Sequence, residues 1–113
     1  MPSYSPLFFG PQCWRLFHSI AFTYPQKPKP SDMNNYKQFY ESLAYVLPCK
    51  DCRDHYTKLL EIIPLTGTIL RDREMLIKWT YDIHSAVNKR KAISGSNPSY
   101  SEFYKFYSSQ LYY

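Results

Sequence analysis

Cys49-Lys50-Asp51-Cys52 directly follows Pro48, and it holds two of the three cysteines in a chain of 113 residues. Pro48 interrupts a helical pattern, and a polar, helix-compatible run follows, so the pair is expected to open a helix. At a helix N-terminus, unpaired backbone N–H groups and the positive end of the dipole favour a thiolate. A thiolate beside a second thiol is what disulfide exchange requires. Three other uses compete with that reading. A structural zinc needs four ligands, and the neighbourhood supplies at most Cys49, Cys52 and His55, so no metal site is expected. A thioredoxin-like motif would follow a strand in a βαβ unit, and no such pattern is visible. A purely structural disulfide closing so short a loop would add little stability through chain entropy. A redox dithiol on a helical scaffold remains.

Further chemistry sits on two other helical segments. Trp14 and His18 are four residues apart and share a helix face; so do His84 and Asn88, with Tyr81 one turn earlier. One such pair is ordinarily core packing around a satisfied polar group. Two pairs together with a CxxC in a short chain suggest a common mouth. Trp and Tyr offer flat faces, His and Asn offer ring hydrogen bonds, and Lys89-Arg90-Lys91 offers charge. That set suits a planar heterocycle carrying phosphates. The chain has only three glycines and no G-x-G-x-x-G, so a nucleotide would bind without a Rossmann turn.

The elements that must position these groups read as helices almost throughout. A first helix is expected from about Pro11 to Tyr24, with Pro25–Pro30 as an extended linker. Ser31 is the expected N-cap of a second helix, whose Met33, Tyr36, Tyr40, Leu43 and Leu47 make one buried stripe. A third helix starts at the CxxC and runs towards Ile63, and Pro64–Thr68 is a turn. A fourth spans about Asp72 to Lys91, with Leu76, Trp79, Ile83 and Val87 inward. After a loop at Ser94–Pro98, Ser99 or Ser101 starts a short fifth helix bearing Phe103, Tyr104, Phe106 and Tyr107. The expected fold class is all-α, a four-helix bundle with a short fifth helix, in one domain over residues 1–113.

Composition narrows the class. Hydrophobic residues make up 44%, which is too many for a disordered tail, yet no apolar run nears the ~20 residues of a membrane span. Met1–Gly10 lacks the basic and apolar pattern of a signal peptide, which points to synthesis in a cytosol-facing compartment. The net charge of +5 could meet an anionic partner, but the cations are spread among acids and form no stripe, so nucleic acid is an unlikely partner. With twelve tyrosines and seven phenylalanines, many rings are expected at boundaries such as a dimer face or a planar ligand.

Three pieces in order carry a family likeness: Gly10-Pro11-Gln12-Cys13-Trp14-Arg15-Leu16-Phe17-His18, then Leu47-Pro48-Cys49-Lys50-Asp51-Cys52, then Trp79 with His84-Ser85-Ala86-Val87-Asn88-Lys89-Arg90. The chain resembles the Erv/ALR family of FAD-linked sulfhydryl oxidases over nearly its whole length, most of all the small forms of large DNA viruses. The resemblance implies a bundle, usually dimeric, with FAD at its mouth. It implies catalytic roles for Cys52, against the isoalloxazine ring, and for Cys49, facing the substrate. Trp14 and His18 would meet the flavin nucleotide; His84, Val87 and Asn88 would hold its adenine and ribose side; Arg90 and Lys91 would meet phosphates; Gly10 and Tyr81 join them as cofactor-binding residues; and a late aromatic contact would come from Tyr100, Tyr104 or Tyr107, with Tyr107 as the candidate. The chain departs from the family pattern at Ser85, where an asparagine is usual, and at Ile93, where a lysine is usual and Lys91 is the candidate substitute. With no further cysteine pair, electrons would come straight from a dithiol protein, thioredoxin-like or a virion assembly protein, and leave to oxygen as hydrogen peroxide. Cys13 is expected to be buried and inert, and His55 to face solvent or a local hydrogen bond. The implied location is the cytoplasm of an infected cell or a virion, with the mitochondrial intermembrane space as the alternative. A non-enzymatic helical interaction module is the rival class.

Overall fold

In a computed structural model, residues 1–91 and 97–112 are described; the Lys91 side chain, Ile93 and residues 94–96 of the expected loop lie outside the described residues. Among them the chain is all helical: α1 (Pro6–Phe22), α2 (Pro30–Val46), α3 (Lys50–Ile62), α4 (Gly67–Leu70), α5 (Arg73–Lys91) and α6 (Tyr100–Ser109). α1, α2, α3 and α5 are the four principal helices, and α6 is the short fifth. α4 is a single turn where a plain turn was expected. No described helix is long and apolar enough to cross a membrane.

Two helix starts lie upstream of their expected positions, both because a proline suits the first helical turn. α1 begins at Pro6, capped by Ser5, whose Oγ accepts from the Leu7 N–H at 3.1 Å. Pro11 is therefore inside the helix, where it removes one N–H from the ladder without ending it. In α2, Pro30 is the first residue and Ser31 lies within the helix; the Asp32 carboxylate accepts from the Lys29 N–H at 2.9 Å. The α6 start falls at Ser99, which forms a capping box with Glu102.

α1 packs chiefly on α5 and α2 on α3, while α6 closes against α1 and α5. Leu76, Trp79 and Ile83 face inward as expected, each 2% exposed or less, and Tyr40 anchors the α2 stripe. Trp79 sits among Phe17 and Tyr40, with ring centroids 5.9 and 5.3 Å away, and its Nε1 donates to the Ile63 carbonyl at 2.9 Å. Most of the described tyrosines are half-buried or exposed, and three are not. Tyr24, Tyr40 and Tyr56 are core residues, and each hydroxyl donates to a backbone carbonyl, of Leu70, Phe17 and Tyr40 respectively, at 2.6 to 2.8 Å. Those bonds remove the cost of burying a phenol. They also stitch α1, α2 and α3 together.

Candidate active site

Cys49 is the N-cap of α3 and Cys52 its third residue, and the two are joined by a disulfide with Cα atoms 5.1 Å apart. The Cys52 N–H points at Cys49 Sγ, 3.2 Å away. The helix's capping donor thus favours negative charge on Cys49 in particular. The two sulfurs face different surroundings. Cys52 lines a cleft of about 490 Å³; Cys49 is not in its wall and is only 6% exposed. The segment before α1 is tied down on both sides of Cys49: Tyr4 N–H donates to the Pro48 carbonyl at 2.7 Å, and Lys50 N–H to Ser3 Oγ at 3.0 Å. In this conformation the sulfur expected to meet substrate is covered.

The cleft lies between α1, α3, α5 and α6. α1 contributes Gly10, Trp14 and Arg15, and α5 contributes His84, Val87, Asn88 and Arg90. Phe106 and Tyr107 of α6 complete the far wall. A smaller cleft of about 270 Å³ adjoins it, shares His84, Asn88 and Tyr107, and reaches Tyr81. Of these two, the larger has the size of a small-molecule site, which spans ~300–1,000 Å³.

Eight of the expected residues thus stand around one space: Cys52, Gly10, Trp14, His84, Val87, Asn88, Arg90 and Tyr107. Three need separate comment. His18 has no exposed surface and borders only the smaller cleft, where it hydrogen-bonds the His84 ring that lines both clefts. Tyr81 borders only the smaller cleft, and its hydroxyl donates to the Pro98 carbonyl at 2.6 Å. Arg90 forms an ion pair with Asp51 at 3.0 Å, so an anion there must compete with the CxxC's own carboxylate. Both partners are exposed, and such a pair contributes about 1 kcal/mol or less. Among the late tyrosines, Tyr104 donates to Glu74 at 2.7 Å and Tyr100 packs on Tyr81, which leaves Tyr107 at the cleft.

The sequence reading assigned Arg15 no role. Its guanidinium lies 5.5 Å over the Phe106 ring and lines the cleft together with Tyr107, which places a second cation at the cleft wall. Its position beside Trp14 was the available signal. Cys13 is half-buried in the same wall instead of deep in the core, and burial raises its thiol pKa. His55 also lines the cleft.

The floor is an aromatic and imidazole stack. The His84 ring lies parallel to Trp14, with centroids 3.9 Å apart, and His84 Nδ1 is 2.8 Å from His18 Nε2. Burial pushes His84 down to about 4; burial and then the charge of His84 push His18 down to about 3. Both rings are therefore neutral in the folded protein near pH 7, while in the unfolded chain each takes up a proton near 6.5. Below pH 6.5 the unfolded state binds more protons, so stability is complete above that value. It falls as pH drops towards 4, by up to about 1.4 kcal/mol per pH unit for each ring. Thermal melts should show a midpoint that is flat above pH 6.5 and declines steadily below it. A midpoint unchanged from pH 7 to pH 5 would contradict this account.

The sequence profile of the Erv1 / Alr family matches residues 11–107. The chain belongs to the Erv1/Alr family. It is 44% identical over 84 residues to a probable FAD-linked sulfhydryl oxidase of Acanthamoeba polyphaga mimivirus, an alignment covering 74% of this chain and 59% of that protein. It is 30% identical over 94 residues to a putative FAD-linked sulfhydryl oxidase of Invertebrate iridescent virus 6, covering 80% and 85% of the two chains. Its fold matches the crystal structure of the FAD binding domain of Erv1 from Saccharomyces cerevisiae with a TM-score of 0.69 at 27% identity, over 81% of each chain. The chain thus spans well under two thirds of the mimivirus protein.

Proposed function

We propose that this chain is an FAD-linked thiol oxidase that makes disulfides in partner proteins. One observation carries the reading: Cys52 of a formed CxxC disulfide opens into the cleft walled by Trp14, His84 and Asn88. The donor set fits FAD. Trp14 and Tyr107 supply flat faces, Asn88 an amide, and Arg15 and Arg90 cations for a pyrophosphate. A Cβ built on Gly10 would meet nothing within 4 Å beyond its chain neighbours and its own helix backbone, so the chain itself leaves that stretch of cleft wall open. Tyr81 would hold the smaller cleft, and the Lys91 side chain, outside the described residues, remains a candidate for the phosphates.

The chemistry of the chain's own atoms is disulfide exchange. A partner thiolate attacks Cys49 Sγ; the Cys49–Cys52 bond breaks and Cys52 takes the electron pair as a thiolate in the cleft. A second partner thiolate attacks the partner's sulfur in the mixed disulfide, which releases Cys49 as a thiolate towards which the Cys52 N–H points. The partner leaves oxidised, with two electrons left on the dithiol. FAD, when bound, would accept that electron pair and pass it to oxygen as hydrogen peroxide. Cys49 is only 6% exposed, so the first attack needs the surface around it to open.

The substrate class is a dithiol protein, thioredoxin-like or an assembly protein, and the working form is a homodimer. Viral relatives favour the cytoplasm of an infected cell or the virion over the mitochondrial intermembrane space. Residues 1–113 act as one domain. The test is direct: express the chain, record its visible spectrum, and follow oxygen uptake with dithiothreitol. Colourless protein that binds no FAD and consumes no oxygen would leave the helical interaction module as the better reading.

Gly10→Leu separates cleft from fold. A leucine gains roughly 0.8 kcal/mol of helix propensity over glycine, so the melting midpoint should hold or rise. Its side chain enters the open wall, so FAD retention through gel filtration should fall sharply. Undiminished FAD retention would place the cofactor elsewhere.

A further inference from the structure

Thr80 is a polar residue with no exposed surface in the middle of α5. Its hydroxyl proton is committed, because Oγ1 donates to the Ile77 carbonyl 2.7 Å away. That back-bond is a common outlet for a helical threonine. A hydroxyl has one proton to give, so towards its other neighbour Oγ1 is an acceptor only. The neighbour is His18 Nδ1 at 3.0 Å, which must therefore carry a proton. A neutral imidazole protonated at Nδ1 has a bare Nε2. His18 Nε2 meets His84 Nδ1 at 2.8 Å, so the proton in that bond belongs to His84. His84 is left with a bare Nε2 on a ring that lines both clefts.

We propose that Thr80 is a positioning residue that sets the direction of this chain, so that the cofactor group held at His84 Nε2 is a hydrogen-bond donor, an amine or a hydroxyl, and not a phosphate or carbonyl oxygen. The reverse direction would require the Thr80 proton to leave Ile77, or two lone pairs to face each other in a buried site. Burial keeps both rings neutral, which a one-proton-per-ring chain needs. The identity of the ligand rests on the FAD reading above; the direction of the chain does not.

The experiment is imidazole nitrogen NMR on the full chain near neutral pH, with and without FAD, beside FAD titrations of Thr80→Val and Thr80→Ser. In the unmodified chain both rings should be protonated at Nδ1. Thr80→Val leaves a buried Nδ1–H with no acceptor, so the chain should reverse and put the His84 proton on Nε2. FAD affinity should then fall about five- to thirty-fold. Thr80→Ser should keep both the tautomers and the affinity. A His84 proton on Nε2 in the unmodified chain overturns the proposal. So does unchanged FAD affinity in a folded Thr80→Val protein. If the unmodified chain binds no FAD, the functional reading fails instead, and the tautomers still decide the direction.

Discussion

Cys52→Ser is expected to lower dithiol oxidation by at least about a thousandfold, because a reactive sulfur removed from a concerted unit removes the reaction. With serine at that position no disulfide exists for a partner thiolate to cleave, so no electron pair is delivered to the cleft through Cys52. Cys52 is one wall residue among many, and Trp14, His84 and Asn88 are untouched, so FAD uptake should survive. The readout is oxygen consumption with dithiothreitol beside the visible flavin spectrum. Yellow but inactive protein is the expected result, and Cys49→Ser should match it in activity. A Cys52→Ser protein that still oxidises dithiols at the original rate would end the assignment of Cys49 and Cys52 as the redox pair.

Trp79→Ala carries the largest expected cost in stability, about 3–5 kcal/mol. The indole is 2% exposed, packs against Phe17 and Tyr40, and bonds the Ile63 carbonyl at the end of α3. Truncation leaves a cavity at the meeting point of α1, α2 and α5, and it leaves the half-buried Ile63 carbonyl without its donor. Folded domains have only about 5–15 kcal/mol to lose, so a large share would go. Urea unfolding should show a markedly lower midpoint, with Trp79→Phe intermediate because it keeps the ring and loses the N–H. A loss under about 1 kcal/mol would mean that the indole is not the centre of the core.

The helices were legible because their cues are local. The apolar spacing of Leu76, Trp79 and Ile83, and the caps at Ser99 and Cys49, are all contained within a turn or two of chain. The starts of α1 and α2 were misplaced because two neighbouring residues each suit a helix start: Pro6 competes with Pro11, and Pro30 with Ser31. Choosing between them depends on contacts outside the segment. The depth of a side chain was harder still. His18 and Trp14 share a face of α1, yet one is wholly buried and the other borders the cleft. Only the packing of Phe103 and Tyr107 over His18 decides that.

By itself the sequence determined the helical class, the place of the CxxC at the start of α3, and the residue types able to hold a flat, anionic cofactor. Those depend on spacing along one helix, which chain geometry sets. That Cys49 is covered, that Arg90 pairs with Asp51, and that Thr80 orders the two imidazoles were decided by tertiary structure alone. Each of these joins residues 39 or more positions apart, or depends on which side of a turn faces the core. A hydrogen bond is settled within a few tenths of an ångström, and no spacing along a single helix fixes the distance between two of them.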